Sequence, residues 1–397
     1  MIVSNVPISQ LAEINPRVPN EAKGNMALPV SFLPMSAISE KGYIENEEVR
    51  IIGDVFRGYT YFERGDVLVA KITPCLENGK AAIADKLSHK IGFGTTEFHI
   101  LRPKKGTHPR YLFHQIWNPR FRFYATRAMK GAAGQKRVPV DFFDRYEVPF
   151  PKYDEQKRIA AILDKADGIR RKRQQAIQLA DEFLRSVFLD MFGDPVSNPK
   201  GWDTISLGEW ADILTGYPFP SAEYVAGSEN TIKLCRGANV LPGHVDWSDT
   251  VHWPENNTKS LDKYWLIEGD VVLALDRPWI SSGLKVARIE KQDFPSLLVQ
   301  RVARIRGKSP SETIYFLYLI KHPAFKKHCR PTETTVPHIS PTELHGYIVP
   351  RPNEKLLQDF YELSQIYYRK TRKFRSSESE FKRLFASCAQ RAFRGDL

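Results

Sequence analysis

The chain is 397 residues long, 42% hydrophobic and 12% aromatic, with a formal net charge of +12 and a pI near 9.4. That length holds two or three domains, and that apolar content excludes an intrinsically disordered chain. The positive charge points to a polyanionic partner, of which nucleic acid is the commonest.

Cys75, Cys235, Cys329 and Cys388 are scattered with no Cys-x-x-Cys pair, which argues against a structural zinc site and for reduced thiols in a cytoplasmic protein. The N-terminus lacks a basic region followed by an apolar run, so no secretory signal is expected. No stretch approaches the roughly 20 apolar residues of a membrane span.

In chain order, residues 1–152 read as a mixed α/β module. Turn signals at Asn15-Pro16, Lys41-Gly42, Arg64-Gly65-Asp66 and Asn78-Gly79 bracket short β-branched and aromatic runs such as Val67–Ala70 and Phe98–Leu101. Residues 109–128 have helical spacing, with Pro109 at the start. A long amphipathic helix is expected over 153–193, with Asp154 as N-cap and Glu155 in the first turn. Its three-four spacing runs through Ile159, Ile162, Ala166, Ile169, Arg173, Ala176, Ala180, Phe183 and Val187.

Residues 194–351 form a second module, with a helix from Glu312 to His328 as counterpart of 109–128. A second long helix follows over 352–397, with a seam at Leu356, Phe360, Leu363, Tyr367, Lys370, Phe374, Ser377, Phe381, Leu384 and Cys388. Polar residues at seam positions (Arg173, Lys370, Ser377) weaken a coiled coil but fix its register. The expected fold is therefore α+β: two similar mixed modules separated by a two-helix antiparallel coiled coil.

The modules are recognised as copies by direct repetition. Phe62–Ala70, with its Gly65-Asp66, returns as Leu266–Ala274, with Gly269-Asp270; Val138-Pro139 and Tyr146–Pro149 return as Val336-Pro337 and Tyr347–Pro350. A repeat unit of about 200 residues is far longer than solenoid periods of roughly 20–50 residues and has the size of a domain.

Catalytic motifs are missing. Asn15-Pro16-Arg17, Asn118-Pro119-Arg120 and Asn198-Pro199-Lys200 all fail the Asn/Asp-Pro-Pro-Tyr/Phe pattern of an adenine methyltransferase. Gly92-Phe93-Gly94 is no dinucleotide fingerprint, no phosphate loop occurs, and the histidines lack metal-ligand spacing. The pattern predicts a binder with no catalytic residues, no metal ligands and no cofactor of its own.

Two loops in each copy are candidate nucleic-acid contacts. In the first module these are Lys71, Thr73, Asn78 and Lys80, and then Lys130, Gln135, Lys136 and Arg137 around a glycine-alanine stretch. Lysine and arginine neutralise phosphates, glycines admit close approach, and glutamine suits an adenine edge. The second copy places Arg277, Trp279, Ser281 and Lys285 in the first frame and Thr334, Thr335 and His338 in the second. Matching frames with unlike side chains suit two different base sequences.

Three segments carry a family resemblance. Pro149-Phe150-Pro151 leads into Glu155-Gln156-Lys157-Arg158-Ile159-Ala160; Gly94-Thr95-Thr96-Glu97-Phe98 precedes Leu101-Arg102-Pro103; and Thr334-Thr335-Val336-Pro337-His338-Ile339 precedes the second helix. With the module–helix–module–helix order, the chain resembles the specificity subunit of type I restriction–modification systems. The resemblance implies two target-recognition domains reading the halves of a split, asymmetric site in double-stranded DNA. It also implies helices that act as a ruler and as the dock for two modification subunits, with Glu155, Gln156, Lys157 and Arg158 as docking residues. S-adenosylmethionine, ATP and magnesium would belong to the modification and restriction subunits. Two features depart from the pattern: Asn353–Leu357 lacks the Gln-Lys-Arg of the first helix, and Val6–Leu11 lacks the Trp202-Asp203 of the second copy. The alternatives are the recognition part of a split restriction enzyme and a coiled-coil scaffold that does not touch DNA.

Overall fold

The computed structural model describes residues 4–20, 24–132, 134–329 and 337–371. The chain divides into two compact units, with the boundary between Arg173 and Gln174. That boundary lies inside the long helix, so the helix is shared between the units rather than forming a segment of its own over 153–193.

The first unit is built on an antiparallel four-stranded sheet in the order Ala12–Ile14, Phe98–Pro103, Val67–Ala70, Ala81–Ile83. Val67–Ala70 is buried at every position, as a central strand covered on both faces should be. A second sheet runs Glu48–Ile51, Pro29–Leu33, Ile91–Gly94, Thr60–Glu63, with one parallel pairing, Pro29–Leu33 to Ile91–Gly94.

The second unit repeats the first sheet in the same order: Asp212–Thr215, Val302–Arg306, Val271–Ala274, Val286–Arg288. Its other sheet keeps the parallel pairing, Thr231–Cys235 to Ser296–Leu298.

The repeated Gly-Asp explains itself in this frame. Gly65 (φ 99°) and Gly269 (φ 96°) turn the chain into the central strand through the left-handed region that favours glycine. The aspartate that follows is buried. Asp66 accepts from the Glu63 amide (2.7 Å) and takes a two-pronged bond from Arg102 (3.0 and 2.8 Å). Asp270 does the same with the Ile267 amide (2.9 Å) and Arg306 (2.6 and 2.7 Å). A second repeated bond runs from Tyr111 to the Pro149 carbonyl (2.7 Å) and from Tyr315 to the Pro350 carbonyl (2.9 Å), fixing the strand that leads into each long helix.

The segment expected as one helix over 109–128 is two, Pro109–Ile116 and Pro119–Ala128. Pro119 holds Asn118 extended (φ −68°, ψ 135°), and the Asn118 side chain then caps the second helix through the Arg120 amide at 2.8 Å. In the second unit the expected Glu312–His328 helix is likewise Pro310–Lys321 and Pro323–His328, broken at His322.

The long helix spans Tyr153–Phe192, 40 residues and roughly 60 Å at 1.5 Å per residue. It opens one residue ahead of Asp154, which therefore sits in the first turn instead of capping it. The continuous seam read along it is really two stripes. Gln156, Ile159, Ala160, Leu163 and Asp167 are buried in the first unit, and Leu184, Phe188 and Phe192 in the second. Ile169 and Phe183, expected inside, are 43% and 68% exposed. Each half turns the face its own unit covers, a change that three-four spacing alone does not register.

The second helix runs from 354 to 371 within the described residues. Its buried positions are Leu357, Phe360, Ser364, Tyr367 and Thr371, whereas the expected Leu363 and Lys370 are exposed. The seam keeps its period but, except at Phe360 and Tyr367, uses the neighbouring residue. Serine and threonine are tolerated there because Ser364 donates to the Tyr361 carbonyl (2.6 Å) and Thr371 to that of Tyr367 (2.9 Å). The expected seam from Phe374 to Cys388 lies outside the described residues.

Within the second unit this helix runs antiparallel to the end of the first. Phe360 packs on Phe188 and Phe192 (5.6 and 5.4 Å between centroids), and Tyr367 donates to Asp181. No described helix is long and apolar enough to cross a membrane.

Candidate nucleic-acid interface

In the first unit the two candidate loops are brought together by the backbone. The Thr73 amide donates to the Lys136 carbonyl (3.0 Å), the Val138 amide to that of Lys71 (2.9 Å), and Lys130 pairs with Arg137 across the base of the second loop. Loop 71–80 is wound on itself, with the Leu76, Asn78, Gly79 and Lys80 amides donating to the Ile72, Pro74, Leu76 and Cys75 carbonyls.

Not all the candidates offer free groups. Asn78 is exposed but donates to Glu40 (2.8 Å), and Lys80 donates its ammonium to the Met35 carbonyl (3.0 Å). Lys71 and Thr73 are half-buried. Lys130, Gln135, Lys136 and Arg137 are exposed. Arg137 is held two-pronged by Glu97 (2.9 and 2.8 Å), and that hydrogen bond keeps the Glu97 carboxyl below its usual range.

His99 supports the base of the second loop at Val138. It is 3% exposed, with Nε2 2.8 Å from the Val138 carbonyl and Nδ1 3.2 Å from the Asn15 amide nitrogen. With Nε2 donating and Nδ1 accepting, the ring is neutral, and burial lowers its pKa to about 4. No sequence motif singles out His99, which stands opposite Val69 in the sheet.

The second unit joins its loops at the same points: the Arg277 amide donates to the Pro337 carbonyl (2.9 Å) and Asp276 pairs with His338. Here the first loop is a small hairpin, Trp279–Ile280 against Gly283–Leu284, with Ser281 exposed at its tip. Arg277 and His338 are exposed, and Trp279 is half-buried with the Lys326 ammonium 5.8 Å from its ring centroid. Lys285 departs from expectation: it is buried, and desolvation lowers its pKa. Thr334 and Thr335 lie outside the described residues.

Of the four docking candidates, Glu155 and Arg158 form an ion pair (2.8 Å), and Lys157 is exposed. Gln156 has no surface to offer. It is fully buried, accepts from the His108 amide (2.9 Å) and donates to the Gly106 and Pro151 carbonyls (3.0 and 2.9 Å). Its role is to pin the helix start to the first unit.

Two units alike in their interiors and unlike at their paired loops define a tandem-module recognition protein. Residues 5–179 match the type I restriction modification DNA specificity domain. The chain is 30% identical to the type I restriction enzyme EcoAI specificity subunit of Escherichia coli, over 86% of this chain and 73% of that protein. It is 40% identical to the EcoEI specificity subunit of the same organism, over 40% of this chain and 27% of that protein. It shares the fold of the type I restriction–modification S subunit of M. genitalium, with a TM-score of 0.56 at 13% identity, covering 98% of this chain and 96% of that one. A chain from a type I restriction–modification system studied for complex assembly gives a TM-score of 0.51 at 19% identity, over 100% of this chain and 98% of that one. The chain belongs to the type I restriction enzyme specificity subunits.

Proposed function

We propose that each unit reads one half of a bipartite, asymmetric site in double-stranded DNA, and that the long helices set the distance between the halves. The observation that carries this reading is the pair of loops built at the same place on the same scaffold twice, with different exposed side chains. Lys130 and Lys136 would neutralise phosphates in the first unit; Arg277 and His338 would face DNA in the second. Good two-pronged base contacts discriminate by about 1–3 kcal/mol each.

In this reading the chain performs no chemistry and binds no cofactor. Two modification subunits in the cytoplasm would supply S-adenosylmethionine and methylate adenine, and restriction subunits would supply ATP- and magnesium-dependent translocation and cleavage. A dock for such partners is supported by apolar side chains left outside the helix seams: Leu179 and Phe183 one turn apart on the first helix, and Leu363 and Ile366 on the second, 56%, 68%, 45% and 44% exposed.

The ruler is tested by inserting one heptad into both helices. That adds about 10 Å, and the preferred spacer in the methylated sequence should lengthen by about three base pairs. An unchanged spacer refutes the ruler.

A further inference from the structure

The helix Pro119–Ala128 in the first unit buries Phe121 and Ala125 and turns Arg120, Phe123, Tyr124 and Arg127 outward. These four stand at i, i+3, i+4 and i+7 and so share one face. Phe123 and Tyr124 are 54% and 44% exposed and meet edge to face at 5.4 Å. The Arg120 guanidinium lies 5.9 Å from the Tyr124 ring centroid and that of Arg127 5.2 Å from Phe123. Among the described residues no carboxylate pairs with Arg120 or Arg127. Two exposed aromatics do not suit a solvated helix face, and two uncompensated guanidiniums do not suit an apolar partner. A surface carrying both phosphates and sugar faces satisfies the two together.

We infer that this face grips the DNA backbone without reading its sequence, as an extension of the Lys130–Arg137 loop that begins two residues past the helix. Arg120 and Arg127 are about 10 Å apart along the helix axis, a span of about three phosphates on one strand. The aromatic pair between them lies against deoxyribose. The inference rests on the DNA-reading role proposed above and adds an asymmetry to it. The corresponding helix of the second unit, Pro323–His328, offers Lys326 and Lys327 but buries its one phenylalanine, Phe325. The first unit thus adds to its cations an exposed aromatic pair that the corresponding helix of the second lacks.

The test is a salt titration of the full chain, with its partner subunits, on a random-sequence duplex and on a duplex carrying the recognised site. Arg120→Ala with Arg127→Ala should lower the slope of log affinity against log salt by about two on both duplexes and leave their affinity ratio unchanged. Phe123→Ala with Tyr124→Ala should weaken both several-fold with the slope intact. Circular dichroism checks folding, and an Arg→Gln pair replaces the alanine pair if that one melts early. A folded arginine variant with the wild-type slope overturns the inference alone. So does normal DNA binding combined with loss of a partner subunit, which would make the face a protein dock. Salt-independent binding by the wild-type chain removes the DNA-reading role and this inference together.

Discussion

The two units solve the same folding problem with the same parts where the parts are buried, and with different parts where they are not. Both use a left-handed glycine, a buried aspartate and an arginine to launch the central strand, and both tie a tyrosine to the proline carbonyl ahead of the long helix. At the loops they part. The first unit folds residues 71–80 into a wound loop, while the second makes a two-residue-per-arm hairpin. The loops are freed to differ because the register beneath them is set elsewhere, and that separation leaves one scaffold with two unlike loop surfaces.

The difference beneath the loops is itself informative. His99 of the first unit pairs with Val69, and Ala303 of the second stands at the same register opposite Leu273. A neutral buried imidazole favours folding only while it stays neutral. Its folded pKa of about 4 lies below the ordinary 6.5, so the unfolded chain binds the extra proton between those values. Stability from His99 is therefore complete above about pH 6.5 and falls by about 3 kcal/mol as the pH drops to about 4. The first unit should lose stability over that window more steeply than the second. His99→Gln should flatten the difference while keeping a donor for the Val138 carbonyl, as read by urea unfolding at stepped pH. A wild-type chain and His99→Gln with parallel pH profiles would show that the imidazole charges freely in the fold.

The helix starts offer a smaller contrast. Gln156 in the first unit stands where Leu357 stands in the second, each five residues past the proline that opens the helix approach. Gln156→Leu should cost about 2 kcal/mol, because it leaves the half-buried His108 amide and the Gly106 and Pro151 carbonyls without the partner they have now. Leu357→Gln should cost a similar amount by burying an amide with no partner. Thermal melts of the pair check this; a neutral Gln156→Leu would make the polar anchor dispensable.

Much of this was legible in the sequence, and the failures have physical causes. The duplication, the central strands and the turns at Asn15, Gly42, Gly65 and Gly79 were readable because each rests on local chemistry; all four residues have positive φ. The breaks at Asn118 and His322 were missed because helical spacing continues across them, although a proline after each was a visible signal. The seams were misplaced because a helix with two adjacent apolar stripes has the same three-four pattern as one with a single stripe. Which face is buried depends on the unit that covers it, as the exposed Phe183 and buried Leu184 demonstrate. Among loop residues, nothing in the sequence separated Lys136, which is free, from Lys80, whose ammonium is spent on a carbonyl 45 positions away in the chain.

Two readers of unlike specificity are the central proposal, and mapping of the methylated sites tests it most directly. Residues 130–137 can be replaced by a glycine-serine loop of equal length, and the methylated adenines mapped in cells that supply the partner modification subunits. The wild-type chain should give a motif with two dissimilar halves and a fixed gap, and the variant should lose definition in one half only. A continuous or palindromic wild-type motif, or equal blurring of both halves in the variant, would contradict it.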